Sequence, residues 1–494
     1  MIPMITIAAL AACASTSDAH ARTDGKRPIV KEIKTYQSFS QPIDPARLYT
    51  LPDMDISYAL AGTLVEWSDE KNLISGLASN WEVVAPQTVR FTLRQGLRWS
   101  SGEPLTAHEV KASFERSLSR YPDDLRSLAQ LLDKIEVTSD QVLDFKLKVP
   151  AASSNLAGKL VEPNYGVIRT APDGVINVSI SSGPFYLESQ TDQELVLKKN
   201  PNWHGANSRM ADRIVIRKPP AAIELATVLL TDSWPNMVET SSLVKSDITA
   251  KYQEQRFNIW KRPHDKVVLV ELGKRLRNAE GYSLLRSLGR RLDMSAVTAG
   301  FSGFEPTRQL FPSGYPLHDA EMKCADESAP VPTLPKRKLQ IIYSPGGTTS
   351  MIKDNLTRTL TALTGEAPVF TAVPLQQLLE AKTKDDFDLF VGLCGLADPD
   401  PEGILSFFFE GGHPVIPSGL GKSAFLTRLD GARKDANPGS RLSEMRSIVK
   451  DAVCEGHLLP LFHLSTVGIA RPELDLSHVP NSDESVTFSK IRFR

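Results

Sequence analysis

The stretch LRQGLRWSSGEPLTAHEV, residues 93–110, combines the end of a strand, a polar turn and the start of a helix. Residues 89–93 alternate apolar and polar side chains, which is typical of a half-buried strand. Gly102 gives the turn its conformational freedom. Thr106 is a favourable N-cap for the following helix, and Glu109 at N3 completes a capping box. The passage therefore predicts a scaffold, because capping accounts for both polar side chains.

The totals point to a soluble globular protein of several domains. The 494 residues include 57 basic and 58 acidic side chains, and 41% are hydrophobic. A chain of this length is too long to fold around a single hydrophobic core. The balanced charge and the lack of a basic stripe with aromatic residues argue against a nucleic-acid partner. No apolar run reaches the roughly 18 residues that cross a bilayer.

The N-terminus predicts export. An apolar run at residues 2–12 precedes small residues, although no Lys or Arg stands before it. Residues 1–21 are therefore predicted to be a signal or lipoprotein leader, and the protein to be periplasmic or in the cell envelope. Two cleavage sites remain open. LAAC at residues 10–13 resembles a lipobox, which would lipidate Cys13 and anchor the chain to the membrane, whereas AHA at residues 19–21 resembles an ordinary signal-peptidase site.

The remaining cysteines predict no metal centre. Cys324, Cys394 and Cys454 are widely spaced and form no CxxC pair. An exported compartment permits one disulfide among them, and all three pairings stay open. The nine histidines form no i, i+4 pair, and the acids of ADPDPEG lack the EF-hand spacing. We expect no metal and no cofactor.

Catalytic motifs are also missing from the sequence. It contains no GxSxG, HExxH or GxGxxG, so we expect no enzyme. GLGKS at residues 419–423 ends like a phosphate-binding loop, but Ile416 stands where that loop requires its first glycine.

Periodicity predicts several elements along the chain. An amphipathic segment at residues 57–67 opens a compact α+β unit, and a strand begins after the break RPHD at residues 262–265. The pattern at 281–297 predicts a helix ended or kinked by its glycine. Residues 301–338 predict a covering or binding loop. Residues 338–393 predict a β-α-β-α-β run with a parallel sheet, whose ligand crevice lies outside the carboxyl ends of the strands.

Residues 60–118 resemble the signature region of the family 5 extracellular solute-binding proteins, the oligopeptide, dipeptide and nickel receptors of bacterial ABC importers. SGPFYL at 182–187, LKKNPNWHG at 197–205 and residues 386–409 agree with further motifs of that family, in the same order. The resemblance covers essentially the whole chain after the leader.

The resemblance implies an α/β, type II periplasmic-binding-protein fold, with two lobes of mixed or parallel sheets joined by a hinge, plus an extra domain. Domain I would comprise residues 28–56, 176–262 and 468–494, domain II residues 57–175, and domain III residues 263–467. The implied mechanism is closure of the lobes on a small peptide or peptide-like solute, followed by delivery to the permease of an ABC importer. The alternative is a binding domain for sensing or partner contact.

Departures from the family bear on the ligand. Peptide-binding relatives carry a Trp and then an Asp that takes the peptide α-ammonium, and those positions are Leu393 and Leu396 here. A buried ammonium without a carboxylate is costly. Either Asp398 or Asp400 substitutes for the missing carboxylate, or the ligand has a neutral or anionic head, as in a sugar, a blocked peptide or a metal chelate.

The predicted ligand-binding residues lie at the hinge and the cleft. We expect a monomer that contacts a small ligand and permease subunits. The predicted residues are Phe39, Ser40, Leu393, Cys394, Gly395, Leu396, Asp398 and Asp400.

Overall fold

The computed structural model describes most of the chain after the predicted leader. The described residues are 30–48, 51–68, 72–122, 125–148, 156–220, 225–241, 245–299, 304–324, 335–343, 347–373, 375–396, 401–409, 424–435, 437–479 and 487–494. Cys13, Asp398, Asp400 and the GLGKS motif lie outside them.

Strands and helices alternate through most of this range. The strands are β1 Glu32–Tyr36, β2 Val65–Trp67, β3 Leu73–Ser75, β4 Ala78–Ala85, β5 Thr88–Leu93, β6 Leu132–Ser139, β7 Val142–Leu147, β8 Ile168–Thr170, β9 Ile176–Ser181, β10 Phe185–Gln190, β11 Glu194–Lys199, β12 Arg213–Arg217, β13 Met237–Ser241, β14 Asn258–Leu272, β15 Phe304–Pro306, β16 Gln340–Tyr343, β17 Val369–Ala372, β18 Leu389–Gly395, β19 Leu458–Ala470, β20 Leu474–Asp475 and β21 Arg492–Phe493. The helices are α1 Leu51–Leu60, α2 Ala107–Arg120, α3 Arg126–Leu131, α4 Leu156–Lys159, α5 Val228–Thr231, α6 Ser246–Glu254, α7 Ala279–Arg291, α8 Met294–Thr298, α9 Gly347–Thr364, α10 Leu375–Lys384, α11 Pro401–Phe409, α12 Ala424–Lys434 and α13 Pro438–Cys454.

One large mixed sheet organises the molecule. Its strand order is β10-β11-β12-β1-β13-β19-β14-β18-β16-β17, and β15 adds to β19. In one half, β1 lies parallel to β12 and β13. In the other half, β16 lies parallel to both β17 and β18, which confirms the predicted β-α-β-α-β run. Each half forms the sheet of one lobe.

Two long strands join the halves. β14 and β19 pair antiparallel along almost their whole length, and the chain enters the second half through β14 and returns through β19. Their register shifts between Arg262 and Lys266. The prediction that a strand begins after RPHD is therefore wrong in its start, because β14 already begins at Asn258 and runs through this segment. The segment forms an irregularity inside one strand. Proline has no backbone N–H to donate to a neighbouring strand, and Pro263 is tolerated at such an irregularity.

The opening stretch folds as its pattern predicts. β5 lies inside the antiparallel sheet β4-β5-β7-β6, and α2 begins after Thr106. The capping box is present, with the Glu109 carboxylate accepting the Thr106 backbone N–H at 2.7 Å. Val110 and Phe114 of α2 are buried in the core of this unit, and Leu118 packs against it. A separate small core thus stabilises the unit.

Two other predictions are corrected by tertiary contacts. The amphipathic segment 57–67 is not one element. Its first residues end α1, and its last form β2, which pairs with β3. Gly289 neither ends nor kinks the predicted helix, because α7 continues past it to Arg291. A Cβ at Gly289 would lie 2.9 Å from Leu459 of β19, so the glycine permits close packing of α7 on the sheet.

The disulfide joins Cys324 to Cys454, and Cys394 is a free, buried thiol. This settles the pairing that the sequence left open. Cys454 ends α13, so the bond ties the loop after β15 to the last helix of the second lobe. In the part of the chain that the structure describes, no helix has the length and apolar character to span a bilayer.

Candidate functional site

The two joining strands carry buried charge where they cross between the lobes. Arg262 of β14 stands opposite Thr466 of β19, so the two side chains share a face of the sheet. Lys266 follows the register shift, and its Nζ donates a hydrogen bond to Thr466 Oγ1. Arg262 and Lys266 are 5% and 3% exposed. Such burial is rare for basic side chains and marks the crossover as a candidate site.

The end of β18 lies beside this charge. Lys266 pairs directly with Gly395, and Val268 pairs with Leu393. Leu393 packs against the hydrophobic cluster that contains Val268. Since residues two apart along a strand share a face, Lys266, Leu393 and Gly395 lie on the same side of the sheet. The structure thus brings two predicted ligand residues next to a buried cation.

Cys394 and Leu396 have their side chains on the opposite face. Both are buried, at 1% and 0% exposure, in a cluster with Val267, Ile404 and Phe408. The Cys394 thiol donates to the backbone carbonyl of Gly395 at 3.2 Å. Leu396 fills a hydrophobic core. Ligand contact by Cys394 and Leu396 stays a prediction. Because both side chains are buried, such contact would be made by their backbone atoms.

The loop after β1 approaches the same face from the first lobe. Phe39 is 6% exposed and belongs to the core cluster that also holds Trp260, two residues before Arg262. The Lys218 ammonium lies 4.6 Å from the centre of the Phe39 ring, a cation–π distance. The loop carrying the predicted residues Phe39 and Ser40 is therefore packed rather than free at this point.

Two acids of α1 hold this loop in place. Asp53 accepts the Ser40 backbone N–H through Oδ1 and the Ser40 hydroxyl through Oδ2, each at 2.9 Å. The Gln37 side-chain amide donates to Asp55 Oδ2. Hydrogen bonds to a carboxylate are stronger than neutral ones. Ser40 therefore has a fixed orientation, with Asp53 as its positioning residue.

A small polar pocket lies beneath the loop. Its volume is about 110 Å³, and its lining includes Ser40, Asp53 and Tyr121. The wall beside it is a buried ion pair, in which Arg116 donates to both Asp44 oxygens at 2.7 and 3.0 Å. The Tyr121 hydroxyl adds a third bond to Asp44 at 2.7 Å. These contacts lock the β1–α1 loop onto α2.

Two titratable groups near the lobe sheets are shifted by burial. Burial is the main cause that raises the pKa of Tyr36, the last residue of β1, and the hydrogen bond from its hydroxyl to Asp232 adds to the rise. Burial lowers the pKa of His204 to about 4, with further lowering by Arg94 and Lys490. Glu66 Oε1 lies 3.9 Å from His204 Nε2, beyond hydrogen-bond range, so burial dominates.

The charged, hydroxyl and aromatic side chains of the site are groups that can bind a small ligand. In the described ranges, no group of three or more His, Cys, Asp or Glu side chains is arranged to hold a metal ion. The crossover supplies two cations and a hydroxyl, and the β1 loop supplies an aromatic ring. Arg262 and Lys266 were missed in the sequence because KRPHDK has the composition of a solvated turn. Its position between two apolar strand segments was the available signal.

Two α/β lobes joined by a pair of crossing strands are the fold of the type II periplasmic binding proteins. Solved structures share this fold across the chain. NikA from Brucella suis, in complex with Fe(III)-EDTA, has a TM-score of 0.79 at 16% identity, covering 94% of this chain and 100% of that chain. The Escherichia coli murein tripeptide binding protein MppA has a TM-score of 0.78 at 15% identity, covering 94% and 99%.

Sequence comparison shows similarity to one family of binding proteins. Residues 72–229 match the model described as bacterial extracellular solute-binding proteins, family 5 Middle. The probable D,D-dipeptide-binding periplasmic protein DdpA of Escherichia coli (strain K12) is 24% identical over 411 residues, which is 76% of this chain and 77% of that protein. The chain is thus similar to the family 5 extracellular solute-binding proteins, as the resemblance of residues 60–118 predicted.

Proposed function

We propose that this chain is an extracytoplasmic receptor that captures a small peptide or peptide-like solute between its lobes and delivers it to an ABC importer. The observation that carries the proposal is the pair of joining strands. Because β14 and β19 are the strands through which the chain passes between the lobes, rotation about their crossover can open and close the cleft without unfolding either sheet.

The similar proteins support a solute of this size. DdpA is named as a D,D-dipeptide-binding protein and MppA as a murein tripeptide-binding protein. Domain I would comprise residues 28–56, 176–262 and 468–494, domain II residues 57–175 and domain III residues 263–467. The ligand would lie between domains I and III, beside Phe39, Ser40 and the end of β18. Binding requires no covalent chemistry, so the protein is not an enzyme.

A second candidate function differs in the bound ligand and in what ligand binding leads to, which would be sensing or partner contact instead of import. NikA, whose fold this chain shares, is described with a bound metal chelate. Leu396 occupies the position that holds an acidic residue in peptide-binding relatives, and it is buried in a core. A non-peptide ligand, such as a chelate or a sugar, in a domain used for sensing or partner contact is therefore the alternative function.

Location and partners complete the proposal. The leader at residues 1–21 would direct export to the periplasm or cell envelope, with a lipid anchor if cleavage leaves Cys13 first. The mature protein would act as a monomer and present its closed form to two permease subunits.

Native mass spectrometry tests ligand capture. The mature protein would be purified from the host that carries the gene and weighed under native and denaturing conditions. We expect a mass difference of a few hundred daltons, about the size of a di- to pentapeptide or of a chelate that a cleft of this class encloses. Protein that carries no small molecule, and that gains none from a periplasmic extract, would refute solute capture. The identity of the released molecule separates the two candidates.

A further inference from the structure

The segment that follows β15 forms a strap over part of the second lobe, and we define the strap as residues 307–324. It starts at the sheet, where the Thr307 backbone N–H donates to the Leu461 carbonyl at 3.0 Å. It ends at Cys324, which is bonded to Cys454 at the end of α13. The strap itself contains no helix and no strand. Irregular segments of this length in compact domains are usually covers, binding loops or linkers.

The strap packs on α11, the helix that follows the end of β18. Phe311 of the strap and Phe408 of α11 meet edge to face, with their ring centres 6.1 Å apart. Both rings are fully buried. The hydrophobic cluster that they join also contains Leu310 and Leu317 of the strap and Ile404 of α11. Aromatic pairs and their buried area contribute strongly to packing, so the strap forms part of the surface on which α11 lies.

The helix α11 begins next to the proposed cleft. Leu396, which follows the end of β18, lies in the same hydrophobic cluster as Phe408. α11 then begins at Pro401, and the sequence between them holds Asp398 and Asp400, two of the predicted ligand residues. Ligands of open α/β sheets bind outside the carboxyl ends of the parallel strands. Because α11 holds one end of this segment, the position of the helix limits where the predicted residues can lie.

The far end of the strap is held to the lobe by one covalent bond and by weaker contacts. Met322 is partly buried against the hydrophobic cluster. Arg446 Nε of α13 donates to the Pro316 carbonyl at 2.7 Å, in an exposed position. Hydrogen bonds in such positions add little to stability, because water competes for both groups. The bond between Cys324 and Cys454 is therefore the strongest tie between this end of the strap and α13.

The disulfide is accessible to a reductant. Cys324 and Cys454 are both half-buried, and their neighbours Lys323 and Glu455 are exposed. Disulfides that solvent reaches are reduced more readily than those enclosed in a core. The free thiol of Cys394, by contrast, is 1% exposed. A dithiol can therefore reach the bond between the strap and α13 without unfolding of the lobe.

We propose that the strap positions α11 beside the cleft, and that the disulfide between Cys324 and Cys454 is a redox-sensitive clasp on the strap. A thiolate of a dithiol attacks one sulfur and releases the other cysteine. The second thiolate then displaces the first cysteine, so that two electrons and two protons pass to the protein and the dithiol becomes a disulfide. The freed end of the strap opens more often, and α11 loses part of its support. The consequence for binding rests on the proposed function: the reduced receptor holds its solute more weakly.

Hydrogen–deuterium exchange of the mature protein tests the clasp without any solute. Oxidised protein is compared with protein reduced by dithiothreitol, and alkylation followed by mass spectrometry counts the thiols of each. At early times we expect peptides from residues 304–324 and 401–409 to exchange at least about 10-fold faster after reduction, within the roughly 30- to 1000-fold that a disulfide contributes to an opening equilibrium. Peptides from α2 and from α9, which packs in the cluster on the other face of the sheet, should keep their rates.

Variants separate positioning by the strap from the redox step. Phe311→Leu removes the ring that meets Phe408 and leaves the disulfide in place, so it should speed exchange in α11 of the oxidised protein. Phe370→Leu is the matched control, because Phe370 of β17 packs in the cluster on the other face of the sheet. In Cys324→Ala/Cys454→Ala, dithiothreitol should cause no further change.

Faster exchange confined to the residues beside the two cysteines would overturn the inference, because the bond would then be a local staple. Equal acceleration of α9 would also overturn it, since the second lobe would then loosen as one unit. So would a bond that dithiothreitol does not reduce in the folded protein, or unchanged exchange of α11 in Phe311→Leu. Each of these outcomes leaves solute capture to the native mass measurement, because the exchange experiment uses no solute.

Discussion

Removal of the disulfide should destabilise the second lobe much more than the first. Cys324 and Cys454 are 130 residues apart in sequence, and the closed loop contains β16 to α13, most of the second lobe. A cross-link of that span lowers the entropy of the unfolded chain by an amount worth about 5 kcal/mol at 25 °C. Measured losses fall below this value when the unfolded state retains structure, so we expect about 3–5 kcal/mol for Cys324→Ala/Cys454→Ala.

The distribution of tryptophan allows the lobes to be followed separately. All six tryptophans precede residue 263, so their fluorescence reports on the first lobe and the α+β unit, whereas far-ultraviolet circular dichroism reports on all helices. The tryptophans are Trp67, Trp81, Trp99, Trp203, Trp234 and Trp260. With a denaturant slope of about 3 kcal/mol per molar urea, the loss moves the unfolding midpoint of the second lobe down by roughly 1–1.7 M.

Urea titrations of the parent and the double variant give the result. We expect an early circular-dichroism transition in the variant and a fluorescence transition close to that of the parent. The control is Cys394→Ala, which removes the free buried thiol and leaves the disulfide in place. An unchanged circular-dichroism midpoint in the double variant would refute the reasoning, and so would equal shifts of both signals, because the lobes would then unfold as one unit.

Three further variants test local parts of the account. Asp44→Ala leaves the buried Arg116 guanidinium without its carboxylate and should cost about 3–5 kcal/mol in denaturant unfolding, whereas Glu380→Ala, in an exposed pair, should leave the unfolding midpoint nearly unchanged. Gly183→Ala would place a Cβ 2.7 Å from the Ala61 backbone nitrogen and should lower the melting temperature, whereas Gly158→Ala, with no atom within 4 Å of its Cβ, should not. Burial lowers the pKa of His204 to about 4 in the fold, against about 6.5 for an ordinary histidine, so the unfolded chain binds the extra proton between those two pH values. Stability should therefore rise from pH 4 to 6.5 and level off above, and His204→Gln should flatten that part of the curve; an unchanged slope would show that other groups cause it.

Local signals in the sequence were sufficient for many elements. The strand, turn and capped helix of residues 88–120 follow from alternation, Gly102 and the Thr106–Glu109 pair, all of which act within a few residues. The β-α-β-α-β run of the second lobe was predicted for the same reason. Gly456 follows the end of α13, with a φ of +85° that favours glycine.

Long-range pairing explains the elements that the sequence did not reveal. The segment 262–265 contains a proline and three polar residues, which locally indicate a turn, yet β19 pairs on both sides of it and keeps β14 as one strand. Residues 65–67 become β2 only through pairing with β3. Gly289 stays inside α7 because the sheet packs against it. None of these partners is visible from neighbouring residues.

The site was predicted only in part for a similar reason. Phe39, Ser40, Leu393 and Gly395 stay predicted ligand residues, suggested by the family resemblance at the strand ends. Lys266 is brought beside Gly395 only when β14 is placed between β18 and β19. The disulfide partner of Cys454 could not be deduced either, because sequence spacing carries no information on which of two distant cysteines lies within bonding distance.

Closure of the lobes is the central claim, and a distance measurement between them tests it most directly. Spin labels at Ser189→Cys in β10 and Gln377→Cys in α10 place one probe on an exposed position of each lobe, and Ser189→Cys with Ala250→Cys places both in the first lobe as the control. Pulsed electron–electron resonance would be recorded without ligand and with the solute released from the native protein. We expect the distance between lobes to shorten and the control distance to stay constant. Equal distance distributions in both states would contradict hinge closure on a solute.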